Sequence, residues 1–344
     1  MGEGRGARPG RRSEVRGQAD RRQAQAVGEL SVASVASAAP SRWRRGEGLR
    51  ALVWLSPWLA GVSIFFVYPL LATVYFSFHH YDLFTLEWAG LDNYRYLLRD
   101  PRVVTSARNT LWLVAVMVPV QTLFSLGLAQ LVVRLKAGVG LFRTIFYLPS
   151  LVPVAAGTIT FVFLMNPSTG PWNQFLALFG VTGPDWFGDP AWSKPSLTLL
   201  SVWSCGQIAV IFMAALLDVP RHLYEAAAID GAGPWRQFRS VTLPSIAPVL
   251  MFSAVTGVIY AVQYFAQAMI ASRVASGATD SPGSSFTPGY PDESLLTLPQ
   301  WLFQAGFRDY QMGYACVLAL VLFAASMVFT LLLLWQFRRS EGAT

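Results

Sequence analysis

Tyr260, Gln263, Tyr264 and Gln267 stand at i, i+3, i+4 and i+7 in an apolar stretch, so a continuous helix would carry them on one face. Tyrosine sets an apolar ring beside a hydroxyl, and glutamine both donates and accepts hydrogen bonds. Such an uncharged stripe suits a neutral polyol or sugar better than an ion. Trp203 and Gln207 lie four apart and could face the same space, although for Trp203 alone core packing is the expected role. Polar residues in apolar helices also bond neighbouring helices, and the spacing leaves both uses open. Other chemistries find no residues. His79, His80 and His222 have no HExxH-type spacing, and Cys205 and Cys316 sit in separate apolar runs, so neither a metal site nor a disulfide is expected. No catalytic residues stand out: the apolar runs hold no Ser-His-Asp set or paired carboxylates.

The elements that must position these residues are membrane helices. Of the 344 residues 53% are hydrophobic and 13% charged, where a soluble domain carries about a quarter charged residues. Six runs are long enough to cross a bilayer, at 52–78, 108–133, 144–165, 196–217, 246–272 and 313–337. Their cores hold no Asp, Glu, Lys or Arg, which argues against a proton relay or voltage sensor. With the N-terminus inside, nineteen Lys and Arg fall in cytoplasmic segments and six in outer loops, so both termini are expected in the cytoplasm. Trp54, Trp58 and Trp335 fit interfacial anchors. Pro57, Pro69, Pro119, Pro149 and Pro153 within the runs permit kinks.

Eleven arginines against five acids give residues 1–50 about +6 of the net +7. Without interleaved aromatic residues this tail points to a disordered cytoplasmic arm touching anionic lipid, and no nucleic-acid partner is expected. Its apolar stretch, 27–40, is too polar for a signal peptide. The longest outer loop runs from about Arg273 to Gln311, with a flexible Ser/Gly/Pro portion from Ser276 to Tyr290.

Between the fourth and fifth runs, Asp218 to Pro244 predicts two short helices. Pro220 suits the first turn of one and Gly231 its end; Pro234 opens the other, and Pro244 closes the segment. Tyr224, Ala227 and Ala228 share a face that the alanines leave flat. The segment is either an interfacial connector or a docking element for a cytosolic partner.

Glu225-Ala226-Ala227, Gly231 after three residues, and Val241-Thr242-Leu243-Pro244 after nine resemble the EAA loop of binding-protein-dependent ABC importers, with Val241 where the family pattern has Ile. Ile229-Asp230-Gly231-Ala232 and Pro248 also fit. Gly90-Leu91-Asp92-Asn93-Tyr94, Arg108-Asn109-Thr110, Phe142-Arg143, Tyr147-Leu148-Pro149 and Tyr310 to Ala315 are similar to the maltose-type carbohydrate-uptake permeases. The resemblance covers residues 50–339. It implies an all-α polytopic membrane protein with six transmembrane helices and a cytoplasmic EAA-type helix hairpin. Residues 1–50 would be the tail, 51–339 the permease domain and 340–344 a short cytoplasmic end. The implied partners are a second permease, an ATP-binding cassette ATPase dimer, an extracytoplasmic solute-binding protein and the lipid bilayer of a bacterial plasma membrane.

The resemblance also assigns roles. Glu225 would contact the ATPase, Ala226 and Ala227 would permit close packing, and Gly231 would provide the bend; Asp230, Leu243 and Pro244 complete the coupling loop. No GxxxxGK[ST] loop is present, and Lys136 and Lys194 are the only lysines, so ATP and Mg are expected on the partner and no cofactor on this chain. An ion-coupled secondary transporter, a membrane-embedded enzyme, and an ABC permease for polyamine, phosphate or amino acid are the rival readings.

Overall fold

The computed structural model describes residues 45–135, 137–277 and 288–341, together with Gly2. The expectations for the tail up to residue 44, for Lys136, for 278–287 and for 342–344 lie outside the described residues. The chain is helical from Arg45 and at its other end through Glu341. It divides into two units, one ending at Pro69 and one beginning at Leu70.

The first unit is one helix in composition and form. Arg45–Val62 is α-helical and Ser63–Val67 is a π-turn, in which the Tyr68 N–H reaches back to the Ser63 carbonyl. The helix, α1 (Leu52–Ser77), is apolar, and no residue of its most apolar stretch is buried.

The second unit begins with the end of α1 and a departure from the all-α expectation: β1 (His79–Tyr81) pairs antiparallel with β2 (Leu86–Trp88) in a small hairpin. Then follow α2 (Asp92–Leu97), α3 (Pro101–Val133), α4 (Val139–Leu151), α5 (Val154–Leu164), α6 (Pro171–Ala177), α7 (Pro190–Trp203) and α8 (Gly206–Asp218). After these come α9 (Arg221–Ile229), α10 (Pro234–Ser245), α11 (Ala247–Val262), α12 (Ala266–Ala275), α13 (Leu298–Phe303) and α14 (Met312–Glu341). Among the described residues three helices are long and apolar enough to cross a membrane: α1, α3 and α14 to Phe337. Three broken pairs also qualify, α4 with α5 bent by 98°, α7 with α8 by 51° and α10 with α11 by 69°, which makes up to six spans. Backbone groups in hydrocarbon must be satisfied internally, which is why the apolar runs take helical form.

The prolines act differently from the kinks the sequence suggests. Pro149 and Pro153 do stand at the sharpest break. Pro57 lies inside an α-helix, while Pro69 and Pro119 each follow a π-turn, Ser63–Val67 and Leu113–Met117, and the helix continues. A proline lacks its N–H and crowds the carbonyl four residues back, here Phe65 and Ala115, each inside the widened turn. Pro244 repeats the pattern after Phe238–Thr242, one residue short of the end of α10, and the bend falls at Ile246.

Leu113, Met117, Val162, Leu197, Val258 and Tyr264 centre one core, where α3, α5, α7 and α11 meet. Leu126, Ala129, Phe212, Met213 and Ile246 centre a second, which carries α9 and α10. Leu296, Leu298, Trp301, Tyr314 and Leu318 form a third beneath the segment 289–311, so that segment is folded from Gly289 onward.

Candidate functional site

The broken pairs, with α3, line an open cavity of about 430 Å³. Pro149, Ser150 and Val152 come from the α4–α5 break, Trp203 and Ser204 from the α7–α8 break, and Tyr260 and Gln267 from either side of a further break between α11 and α12. Helices that stop and restart leave backbone groups and side chains facing a shared space, which is how membrane transporters commonly build sites. No lining residue carries a formal charge.

The fifth span is where sequence and structure part. A continuous helix would present Tyr260, Gln263, Tyr264 and Gln267 together, but α11 ends at Val262 and the chain turns through Gln263–Phe265 before α12. Tyr260 and Gln267 remain on the cavity, joined by a hydrogen bond from the Gln267 amide to the Tyr260 hydroxyl. Gln263 is exposed outside the cavity lining. Tyr264 turns into the core at 1% exposure, and its hydroxyl has no partner among the described residues. The break also frees the Tyr264 carbonyl, which the Thr297 hydroxyl satisfies at 2.9 Å.

Trp203 is not core packing: it is 41% exposed, lines the cavity, and stands against Gly157, where a Cβ would approach its ring to 3.5 Å. Gln207, one turn along in α8, lines the same space. The stripe misses Gln121, Thr158, Ser204 and Thr256, all of which line the cavity. Gln121 carried a signal, an amide in the middle of the apolar run of α3; it donates to the Ser201 carbonyl at 3.3 Å.

The second candidate region is the hairpin of α9 and α10. The Ala232 N–H bonds the Ala227 carbonyl at 2.9 Å and the Gly231 N–H bonds that of Ala228 at 3.0 Å, the paired closure of a helix whose next residue is left-handed. Gly231 has φ +74°, open to glycine without strain. The face with Tyr224 is not the outward one: the Tyr224 hydroxyl bonds the Thr242 hydroxyl at 3.0 Å, and Tyr224 and Ala227 are half-buried. Glu225, Ala226, Ala228 and Asp230 are exposed, and Ile229 is 87% exposed. Leu243 and Pro244 lie in the last turn of α10, with Leu243 packed against the second core.

The other motif residues fasten helix ends to one another. Asn93 donates to the Ser77 and His79 carbonyls at 3.0 and 2.9 Å. A Cβ on Gly313 would collide with the His79 carbonyl. Asn109 donates to the Glu293 and Leu296 carbonyls at 2.7 and 3.0 Å and accepts from Lys194 at 3.0 Å, while Thr110 accepts from the Leu298 N–H at 3.0 Å.

Comparisons with known proteins return membrane transport proteins of similar sequence and fold. It is 32% identical over 299 residues to the probable ABC transporter permease protein YesP of Bacillus subtilis (strain 168), covering 85% of this chain and 92% of that one. It is 30% identical over 297 residues to the sulfoquinovosyl glycerol transport system permease protein SmoG of Agrobacterium fabrum, covering 84% and 92%. Its fold matches a chain of a bacterial ABC transporter involved in import of the acidic polysaccharide alginate, with TM-score 0.70, 20% identity, and 85% and 96% covered. Residues 121–341, which hold the hairpin and most of the cavity lining, match the family model described as binding-protein-dependent transport system inner membrane component, and the chain belongs to that family.

Proposed function

We propose that this chain is the membrane-spanning permease subunit of an ATP-driven importer and passes a sugar or oligosaccharide delivered by an extracytoplasmic binding protein. The observation that carries the reading is the meeting of Tyr260, Gln267, Trp203 and Gln207 on one uncharged cavity between broken helices. Aromatic walls with a few amides and hydroxyls suit a neutral polyol, and a polyamine or phosphate would call for countercharge at that depth. The relatives named above for ABC transport and for sulfoquinovosyl glycerol transport support the same class.

In this reading α1, α3, the three broken pairs and α14 are six spans, and both termini lie in the cytoplasm with the hairpin. Glu225, Ala226, Ala227, Asp230, Gly231, Leu243 and Pro244 form the loop that docks on a separate ATPase dimer, where ATP and Mg bind. The outward Glu225, Ala226 and Ile229 supply its contact face, and Tyr224 anchors the hairpin to its own chain. A second permease completes the pathway. Coupling then follows from a two-state element whose balance the ATPase shifts.

The test is uptake of a panel of labelled oligosaccharides by cells carrying the permease with its partners, beside a Gly231→Pro variant. Saturable uptake of one sugar, lost in the variant while membrane insertion persists, is the expected result. Uptake that survives the variant, or collapses with the proton gradient while ATP is held constant, would point to an ion-coupled secondary transporter instead.

A further inference from the structure

A second cavity, of about 360 Å³, opens where the hairpin meets the ends of α3 and α8. Arg134, capping the C-terminus of α3, and Arg221, opening α9, both line it. Neither is in an ion pair among the described residues, where the two ion pairs are Arg95 with Asp92 and Arg102 with Glu293. No acidic residue lines the cavity, and Asp218, nearest in sequence, stays outside it. The rest of the lining is divided: Leu216, Leu217 and Val219 give an apolar wall, and Gln130, Tyr224 and Gln237 give hydrogen-bonding capacity.

We infer that this cavity binds a phosphate-bearing anion, supplied by an anionic phospholipid, and that the bound headgroup braces the hairpin against α3 and α8. Two arginines without countercharge match a phosphate, which guanidinium groups hold by paired N–H donors. The apolar wall beside them matches an acyl chain better than a free ion. Basic pockets between membrane helices on the cytoplasmic side take such headgroups. The inference rests on the reading above in one respect, that the hairpin face is cytoplasmic.

The experiment uses the full importer in nanodiscs of phosphatidylcholine with phosphatidylglycerol, and native mass spectrometry counts phosphatidylglycerol retained on the permease. R134Q/R221Q should lower retention about tenfold or more, and R134K/R221K, which keeps both charges, should restore most of it. Equal retention in wild type and R134Q/R221Q would overturn the inference. Loss in both double variants would also overturn it, as damage to the fold. Displacement of the lipid by inorganic phosphate would keep the anion chemistry and overturn the lipid as its source. If R134Q/R221Q instead releases the ATPase in phosphatidylcholine alone, the arginines serve a protein contact and the lipid site is wrong. Retention is read without transport, so absent sugar uptake would strike the importer reading and not this site.

Discussion

The Tyr314 hydroxyl donates to Asp100 Oδ2 at 2.7 Å, joining the start of the last long helix to the start of the second across 214 positions. The same oxygen accepts from the Trp301 indole N–H at 2.8 Å, and Oδ1 accepts the Arg102 N–H at 2.9 Å, capping α3. One buried carboxylate thus ties α3, α13 and α14 together. Asp100→Ala strands two buried donors and removes the cap, which should cost about 2–4 kcal/mol. Thermal unfolding in detergent should show a lower midpoint, with Asp100→Asn falling between; an unchanged midpoint for the alanine variant would dismiss the joint as a source of stability.

In the cavity, Gln207→Leu and Gln267→Leu each remove hydrogen bonds a polyol would use. The apparent KM for the transported sugar should rise about 3- to 10-fold for each, as one neutral hydrogen bond is worth. Gln263→Leu, outside the lining, should leave KM unchanged. Equal effects from all three would argue that the cavity is not the pathway.

At the hairpin turn, Gly231 has nothing within 4 Å of a built Cβ, so the strain of a substitution is purely backbone. Gly231→Ala should cost about 1–2 kcal/mol locally, with Gly231→Asn milder because asparagine visits the left-handed region more readily. Uptake at constant membrane expression should rank glycine, asparagine, alanine. An alanine variant as active as wild type would mean that the turn need not be rigid.

The strand hairpin offers a pH test. The Asp82 carboxylate accepts N–H bonds from Thr85 and Phe84, which hold its pKa below the ordinary 3.8. A lowered folded value stabilises the turn above the unfolded pKa, and that support is lost as pH falls through the folded value. Hydrogen exchange at Thr85, corrected for intrinsic rate, should lose protection below about pH 4, and Asp82→Asn should remove the pH dependence. Protection constant down to pH 2 in wild type would contradict the assignment.

α1, α14 and the hairpin boundaries at Pro220, Gly231 and Pro234 were legible because long apolar runs and the proline–glycine asymmetry act locally. The break at Pro149–Pro153 was visible for the same reason. The breaks at Ser204–Cys205 and Gln263–Phe265 contain no proline, and tertiary packing sets them; Thr297, far along the chain, accommodates the second. Periodicity carried across that hidden break put Tyr264 on the wrong side and Gln263 in the wrong place. The fold of the segment 289–311 was equally invisible, since its clamps to Asp100, Asn109 and Thr110 are long-range.

Three π-turns, at Ser63–Val67, Leu113–Met117 and Phe238–Thr242, end two residues before a proline. Each holds one residue more than an α-helical stretch of similar rise. Deleting a single residue there would leave both flanking segments near their present places along the helix axis while closing the ring onto the proline. Side chains beyond each turn are also stepped round the axis by about a third of a revolution relative to an unbroken count. Chain length can therefore change by one at these three places, at the cost of a local collision, where a change elsewhere in the same helices would rotate every side chain beyond it.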